Sequence, residues 1–505
     1  MSDSSYRASL RSSAVIGGAQ MINIFASLVK MKFAAVVLGP AGVGLIGLYS
    51  NLVSTAASIW SLGVGTTGVR QIVIATSEDS DAKLSLTRRS LFWGSFALAI
   101  TGAAIMWIAK GWIARVLLSD ESRSGDVAFL SVGVALSVAV TAQTALLTGL
   151  RRVGDLARVN IGAGVAGAAI GILAMWLWPT QSVLVLVLVS PVLSYLFGRL
   201  FVARLGRSAG PRQAPSAIAR ECWAMARPGI GFMVSGLIAL LSQLVVRTLI
   251  QRELGAEAQG QFQAAWTISM TYLGFVLGAM GTDFLPRLTV AITDRSSASK
   301  LINEQTEMAL LLCAPVVTGM LAFAPWVIRL LYSPEFGPAV DILRWQLLGD
   351  ILKVMVWPIG FVQAASGAAR TFFMTETFGA VLLVLGVYVG LPRIGIAATG
   401  VSFFMVYLAY LPLMWWLGRV WIGFHWTRSV WGQAIAIFGI AVLVDITSRQ
   451  SEVAGLIAGG LITVAVALWS IVRLSTLSGQ EGKLGRIGVL AEKITGLVAW
   501  IAKFK

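Results

Sequence analysis

Polar side chains recur at helical spacing inside stretches of this 505-residue chain that are otherwise apolar. One stripe, with steps of three, four and three residues, consists of Gln20, Asn23, Ser27 and Lys30. A second, with steps of four, consists of Gln243, Arg247 and Gln251. Residues so spaced share one face of a helix. Cations bind phosphate, and amides and hydroxyls bind sugar hydroxyl groups. The two faces therefore predict a binding surface for an anion that carries many hydroxyl groups.

A third stripe contains both signs of charge within residues 336–357. Winding this segment as a helix places on one side Gln346, Asp350, Lys353 and Trp357. Asp341 and Arg344 fall near one end of the same helix. Asp350 and Lys353 are three residues apart, so they either neutralise each other as a structural pair or serve substrate binding or ion coupling. Both readings stay open, and Asp283 is a second candidate for ion coupling or gating.

A cation in the hydrocarbon region is costly, by about 3 kcal/mol at a helix centre on insertion scales. Lys30 and Arg247 lie in apolar runs that contain no carboxylate to neutralise them. They either extend to the membrane interface or face a water-filled cavity. If they face a cavity, the sequence predicts a net cationic substrate cavity. Its other predicted lining residues are Lys353, the amides Gln20, Asn23, Gln243 and Gln346, and a further stripe of Asn51, Ser54, Ser58 and Ser61.

The elements that carry these stripes must be membrane-spanning helices. Hydrophobic residues make up 57% of the chain, charged residues 12%, and the mean hydropathy is +0.81. Apolar runs of spanning length predict about fourteen helices, beginning with 11–38 and 43–69 and including 224–250 and 261–285. The expected fold is an all-α, multi-pass membrane protein. The net charge of +16 is spread over alternate loops, which fits the positive-inside rule with both termini cytoplasmic and does not indicate nucleic-acid binding.

Two motifs recur at nearly equal offsets. LGPAGVG at 38–44 returns as LGAEAQG at 254–260, and WIARVLLSDE at 112–121 returns as WVIRLLYSPE at 326–335. Two parallel six-helix repeats are therefore expected, forming two lobes with the substrate site between them. The predicted division is an N-lobe (1–203), a cytoplasmic linker (204–223), a C-lobe (224–419), two extra helices (420–473) and a cytoplasmic amphipathic tail (474–505).

Three segments together resemble the Wzx-type flippases of the MOP exporter superfamily: WQLLGDILK (345–353), LGPAGVGLIGLYSNL (38–52) and DFLPRL (283–288). The resemblance covers roughly residues 8–420. It implies two six-helix bundles around a cationic cavity that move a polyprenyl-diphosphate-linked oligosaccharide across a bacterial inner membrane by alternating access. The implied substrate is an undecaprenyl-diphosphate-linked glycan for O-antigen or enterobacterial common antigen, with membrane lipids and other polysaccharide assembly proteins as partners.

Two other transport functions are alternatives to this one. Fourteen helices is also the number in the related lipid II flippases, and a multidrug or cation antiporter of the same superfamily is the second alternative. A membrane glycosyltransferase or polymerase would need a large external loop with catalytic groups, whereas the external connections are short. The sequence shows no Walker motif or metal-ligand cluster, so we predict a transporter with no catalytic residues, metal or cofactor. A purely structural scaffold would not need polar stripes inside its spans.

Overall fold

The computed structural model describes residues 3–78, 81–179, 181–205 and 214–477. These residues are almost entirely helical and contain no β-strand. The helices of the first half are α1 (Asp3–Trp60), α2 (Val64–Ser77), α3 (Asp81–Ile108), α4 (Lys110–Ile113), α5 (Ser124–Gly149), α6 (Val153–Leu177), α7 (Ser182–Ala203) and α8 (Pro215–Ala291). Those of the second half are α9 (Arg295–Ala322), α10 (Ala324–Leu331), α11 (Ala339–Ala365), α12 (Ala369–Ile394), α13 (Ala397–Ile422), α14 (Arg428–Gln450), α15 (Glu452–Ala454) and α16 (Gly460–Leu477).

The two longest helices each contain one non-helical glycine. Gly39 in α1 has φ 62° and Gly255 in α8 has φ 82°, a left-handed region that glycine enters without a Cβ penalty. Both glycines follow the leucine of the repeated Leu-Gly motif. The two halves of the chain therefore bend at corresponding positions, as expected for an internal repeat.

The repeated motifs also pack on each other symmetrically. Gly44 lies against the backbone of Ala256 and Gly260, and Gly260 lies against the backbone of Pro40. A Cβ at either glycine would overlap these backbone atoms. The pair thus resembles a two-fold contact, in which the same surface is used by both partners.

The number of candidate membrane-spanning helices among the described residues is lower than the predicted fourteen. Eleven described helices are long and apolar enough to span a membrane, or twelve if the bent pair within α8 forms one span. The predicted helix 11–38 and most of the predicted helix 43–69 lie in α1, on either side of the kink at Gly39. The second predicted helix is interrupted after Trp60, at Leu62 and Gly63, which both have positive φ, and its last residues begin α2. The number fourteen is not confirmed, and it stays a prediction.

Internal packing divides the chain into two compact units. The first contains residues 1–260 and 331–335, and the second contains 261–330 and 336–505. In the first unit, α6 packs along α1, and α3 and α7 both pack on α5. The predicted linker 204–223 includes the first turns of α8, where the Cys222 thiol donates a hydrogen bond to the Ser90 carbonyl at 3.2 Å.

In the second unit, α11 lies against α9 and α13, and the additional helices α14 and α16 pack on α9. Glu307 of α9 accepts hydrogen bonds from Ser429 (3.1 Å) and Gln433 (2.5 Å) of α14. The guanidinium of Arg473 on α16 lies 3.6 Å from the same carboxylate. One half-buried acid therefore holds both additional helices to α9. Most of the predicted amphipathic tail, residues 478–505, lies outside the described residues.

Candidate functional site

Asp350 lies at the centre of the second unit. It is fully buried on α11, and one of its carboxylate oxygens accepts hydrogen bonds from Ser269 (2.7 Å) and Tyr272 (2.6 Å) of α8. The other oxygen has no hydrogen-bond partner among the described residues. A buried carboxylate that is only partly satisfied is expensive in structural terms, so it marks a functional candidate.

Lys353 is one turn further along α11 and half-buried. Its ammonium lies 3.5 Å from the sulfur of Met270 and 5.6 Å from the ring centroids of both Phe403 and Tyr407 on α13. Ring faces attract a cation by about 0.5–2 kcal/mol. In the part of the chain that the structure describes, Lys353 and Asp350 form no direct ion pair, but they are close enough to interact electrostatically. The structural and the functional readings of the two residues both stay predictions.

A third ionisable side chain, Glu376, lies near Lys353 and was not predicted from the sequence. Glu376 of α12 is half-buried, and the hydroxyl of Tyr410 on α13 lies 3.5 Å from its carboxylate. The signal was present, because Glu376 is the one carboxylate within the apolar run 371–391. Its neighbours Tyr407 and Tyr410 are found only through the packing of α12 on α13.

Lys353 also lines a cavity of about 510 Å³ within the second unit. The lining from α8 alternates three glycines with larger apolar side chains: Met270, Leu273, Gly274, Leu277, Gly278 and Gly281. The lining from α11 includes Trp357 and Phe361, whose ring centroids are 4.8 Å apart. The cavity therefore offers a cation, aromatic rings and apolar surface. Its volume falls within the range of about 300–1,000 Å³ that is usual for small-molecule sites.

Gln346 is the least satisfied polar side chain on α11. It is fully buried, and neither atom of its amide has a hydrogen-bond partner among the described residues. An unpaired buried amide costs about 1–3 kcal/mol. Gln346, Asp350 and Lys353 thus lie in succession along one helix, as their spacing predicted.

The stripe residues of the α1 helix lie in the first unit. Asn23 packs against Gly164 and the Lys30 stem against Gly171, so this part of the stripe faces α6. Lys30 is half-buried, Gln20 is exposed, and the ammonium of Lys32 donates a hydrogen bond to the backbone carbonyl of Tyr332. The small residues of α6 leave room for these polar side chains.

The remaining predicted residues differ in burial. Arg247 is 4% exposed, so it is enclosed by protein rather than extended to an interface. Gln243 and Asn51 are half-buried. Asp283 is exposed and forms an ion pair with Arg287 four residues on, at 3.2 Å. A pair of this kind is common on helix surfaces and contributes about 0–1 kcal/mol, so it needs no transport role.

The charges at the end of α11 have structural partners. Arg344 lies 3.6 Å from Asp445 of α14 and donates a hydrogen bond to the Ser448 carbonyl at 3.2 Å. Arg449 contacts both Asp445 (2.8 Å) and Asp341 (3.0 Å). This network joins α11 to the additional helix α14. The four charges of the segment 336–357 therefore divide into Asp341 and Arg344, which contact α14, and Asp350 and Lys353, which contact α8 and α13.

The fold and the interior charges define a multi-pass membrane protein with the architecture of MOP-superfamily transporters. Lipid II flippase MurJ in its inward closed conformation superposes with a TM-score of 0.67, covering 91% of this chain and 98% of that one at 11% identity. A multidrug resistance MATE family transporter of the MOP superfamily, inward-facing, gives a TM-score of 0.63, with coverage of 80% and 94% at 17% identity. At such identities the likeness concerns the fold.

Sequence comparison gives the family. Residues 9–292 match the family described as polysaccharide biosynthesis protein, which is more than half of the chain. The chain belongs to this family. It is also 23% identical over 416 residues to the lipid III flippase of Escherichia coli (strain K12), covering 78% of this chain and 94% of that protein. The resemblance to Wzx-type flippases is thus confirmed.

Proposed function

We propose that this protein is a flippase that moves a polyprenyl-diphosphate-linked oligosaccharide from the cytoplasmic to the periplasmic leaflet of a bacterial inner membrane. The observation that carries the proposal is the family match over residues 9–292, and the similarity to a lipid III flippase over most of both chains supports the same substrate class. Undecaprenyl diphosphate is the proposed carrier. Both termini are proposed to be cytoplasmic, because the basic loops then lie inside.

The interior of each unit supplies groups that suit this substrate. In the second unit, Lys353 lines the cavity beside Trp357 and Phe361 and is positioned to bind diphosphate. Lys30 and Arg247 are the corresponding cations of the first unit, with Asn23, Asn51 and Gln243 as candidate contacts to sugar hydroxyls. Gln346 has free hydrogen-bonding capacity among the described residues. In this proposal Asp350 serves ion coupling or gating.

The membrane potential would assist outward movement of the anionic head group. With the inside negative, transfer outward is favoured by about 2.3 kcal/mol per elementary charge per 100 mV. The apolar chain can stay in the bilayer, so the protein has to pass only the head group.

Reconstitution into liposomes tests the proposal. Three labelled probes are compared in the same vesicles: an undecaprenyl-diphosphate oligosaccharide, lipid II and a cationic dye. We expect leaflet exchange of the oligosaccharide-lipid, at a rate that falls in Arg247→Ala and Lys30→Ala while both variants still insert. Exchange of lipid II alone would instead identify the protein as a lipid II flippase. Dye transport without glycan-lipid movement would instead indicate a drug transporter.

A further inference from the structure

A separate cavity of about 650 Å³ lies in the first unit between α3 and α7, with α5 as its floor. Its lining includes Arg88, Arg89, Trp93, Phe96, Gln143 and Tyr195. We call it the α3–α7 groove. None of the residues assigned above to glycan transport lines it, so the transport site does not explain it.

The two arginines lie on α3 just before its uncharged stretch 90–108, so their guanidinium groups can extend to the depth of lipid head groups. The 28 residues of α3 extend about 42 Å, whereas the hydrocarbon core of a bilayer is about 30 Å thick. Arg88 and Arg89 follow Asp81 by seven and eight residues, which is about 10–12 Å from the start of the helix. Both are half-buried. Two adjacent guanidinium groups at this depth suit a phosphate, which they can bind through paired hydrogen bonds.

Beyond the arginines the lining becomes apolar and aromatic. Phe92, Trp93 and Phe96 form a cluster with ring centroids 5.4 to 6.3 Å apart. Trp93 and Ile100 are each about half exposed, so the groove is open along its length. A surface with cations at one end and aromatic and aliphatic side chains along the rest matches a phosphate joined to an acyl chain.

The polar groups in the groove are too few for an oligosaccharide. Apart from the arginines they are Ser95, Gln143 and Tyr195. The amide oxygen of Gln143 has no hydrogen-bond partner among the described residues. That oxygen is buried against Gly198 of α7, so it does not face the open part of the groove. The lining therefore fits a small head group.

We propose that the α3–α7 groove binds an anionic glycerophospholipid. Its phosphate contacts Arg88 and Arg89, and one acyl chain lies along Trp93, Phe96 and Ile100. Basic pockets between membrane helices recognise anionic head groups in this way. The lipid binds without being transported, so the site is independent of the proposed flippase activity.

Native mass spectrometry of the full-length protein tests this directly. The probes are phosphatidylglycerol and phosphatidylethanolamine with identical acyl chains, together with undecaprenyl diphosphate. We expect the wild type to retain phosphatidylglycerol in preference to phosphatidylethanolamine, and Arg88→Ala/Arg89→Ala to lower that retention about tenfold or more. The matched control is Arg151→Ala/Arg152→Ala, which removes an adjacent, exposed arginine pair outside the groove. It should retain the lipid.

A second variant keeps the charge and fills the space. Ala139 lines the groove on α5, so Ala139→Trp should displace the acyl chain with both arginines in place. The proposal is wrong if Arg88→Ala/Arg89→Ala binds phosphatidylglycerol like the wild type. It is also wrong if Arg151→Ala/Arg152→Ala lowers phosphatidylglycerol binding equally, since the lipid would then be attracted by positive charge in general. Preferential binding of undecaprenyl diphosphate that depends on Arg88 and Arg89 would also overturn it, because the occupant would be the carrier lipid.

Discussion

Single residues in the interior of the second unit carry the chemistry that distinguishes this chain from an inert bundle. Asp350 keeps one oxygen hydrogen-bonded by Ser269 and Tyr272, and Lys353 lies beside the rings of Phe403 and Tyr407. Asp350 is thus held by hydrogen bonds from α8, and Lys353 by contacts with α8 and α13, with no direct ion pair between the two.

Lys353→Met is expected to lower glycan-lipid translocation at least about tenfold, because one lost charge-assisted hydrogen bond of about 1.5–3 kcal/mol corresponds to that factor or more. The side chain keeps its length and its contact with Met270, so the protein should still fold. Initial rates in liposomes, together with the thermal unfolding temperature, provide the measurement.

Lys300→Met is the control for this change. Lys300 is exposed on α9, with its ammonium 3.9 Å from Glu304, and lies outside the 510 Å³ cavity. It should leave transport unchanged. If Lys353→Met is as active as the wild type, Lys353 does not bind the substrate.

At the scale of helices, the Leu-Gly repeat explains both the bends and the close contact between the two halves of the motif. Gly260→Ala would force a Cβ into the carbonyl oxygen of Pro40, where backbone cannot move aside cheaply. Overpacking of this kind costs about 1–3 kcal/mol. We therefore expect a lower thermal unfolding temperature in detergent.

Gly236→Ala on the same helix serves as the comparison. A Cβ at Gly236 meets nothing within 4 Å, and its backbone is helical, so alanine should be neutral or stabilising by up to about 1 kcal/mol. Equal unfolding temperatures for the two variants would contradict the close contact at Gly260.

The additional helix α14 is fixed to α11 by a buried ion pair. The side chains of Arg344 and Asp445 are only 6% and 11% exposed. Removing one partner of such a pair costs about 3–5 kcal/mol, since it leaves an uncompensated buried charge. Asp445→Leu should therefore lower the free energy of unfolding by about 3 kcal/mol.

Two further variants compare the contributions of buried and exposed ion pairs to stability. Arg344→Met/Asp445→Leu removes both charges and should recover part of the loss. Glu452→Gln breaks the exposed pair with Arg329, at 2.8 Å, and should change stability by at most about 1 kcal/mol. Similar losses in Glu452→Gln and Asp445→Leu would show that burial does not set the cost.

The sequence predicted what depends on local spacing and left out what depends on distant partners. The succession Gln346, Asp350 and Lys353 on one face of α11 follows from helical geometry alone. That Arg344 contacts Asp445, about a hundred positions away, does not, because no periodicity links residues on separate helices. For the same reason the aromatic neighbours of Lys353 on α13 could not be predicted.

At the scale of the whole molecule, the number of crossings decides which side of the membrane each loop faces. The apolar part of α1, Gly17–Trp60, has 44 residues and extends about 66 Å, roughly twice the 30 Å of a hydrocarbon core. Gly39 is the bend at which it would turn back. If α1 crosses twice, the exposed arginines 151 and 152 lie on the same side as the N-terminus, as the positive-inside rule favours.

Reporters active on only one side of the membrane measure this topology. With the N-terminus inside, two crossings by α1 place the turn Ser119–Asp120 outside, and a single crossing places it inside. We expect a periplasmic reporter to be active at that turn and a cytoplasmic reporter to be active between Arg151 and Arg152. A reporter fused after Leu477 then shows whether the number of crossings up to that residue is even or odd. An even number returns the chain to the cytoplasm. Cytoplasmic activity at Ser119–Asp120 would mean that α1 crosses once, and the count of fourteen would be wrong.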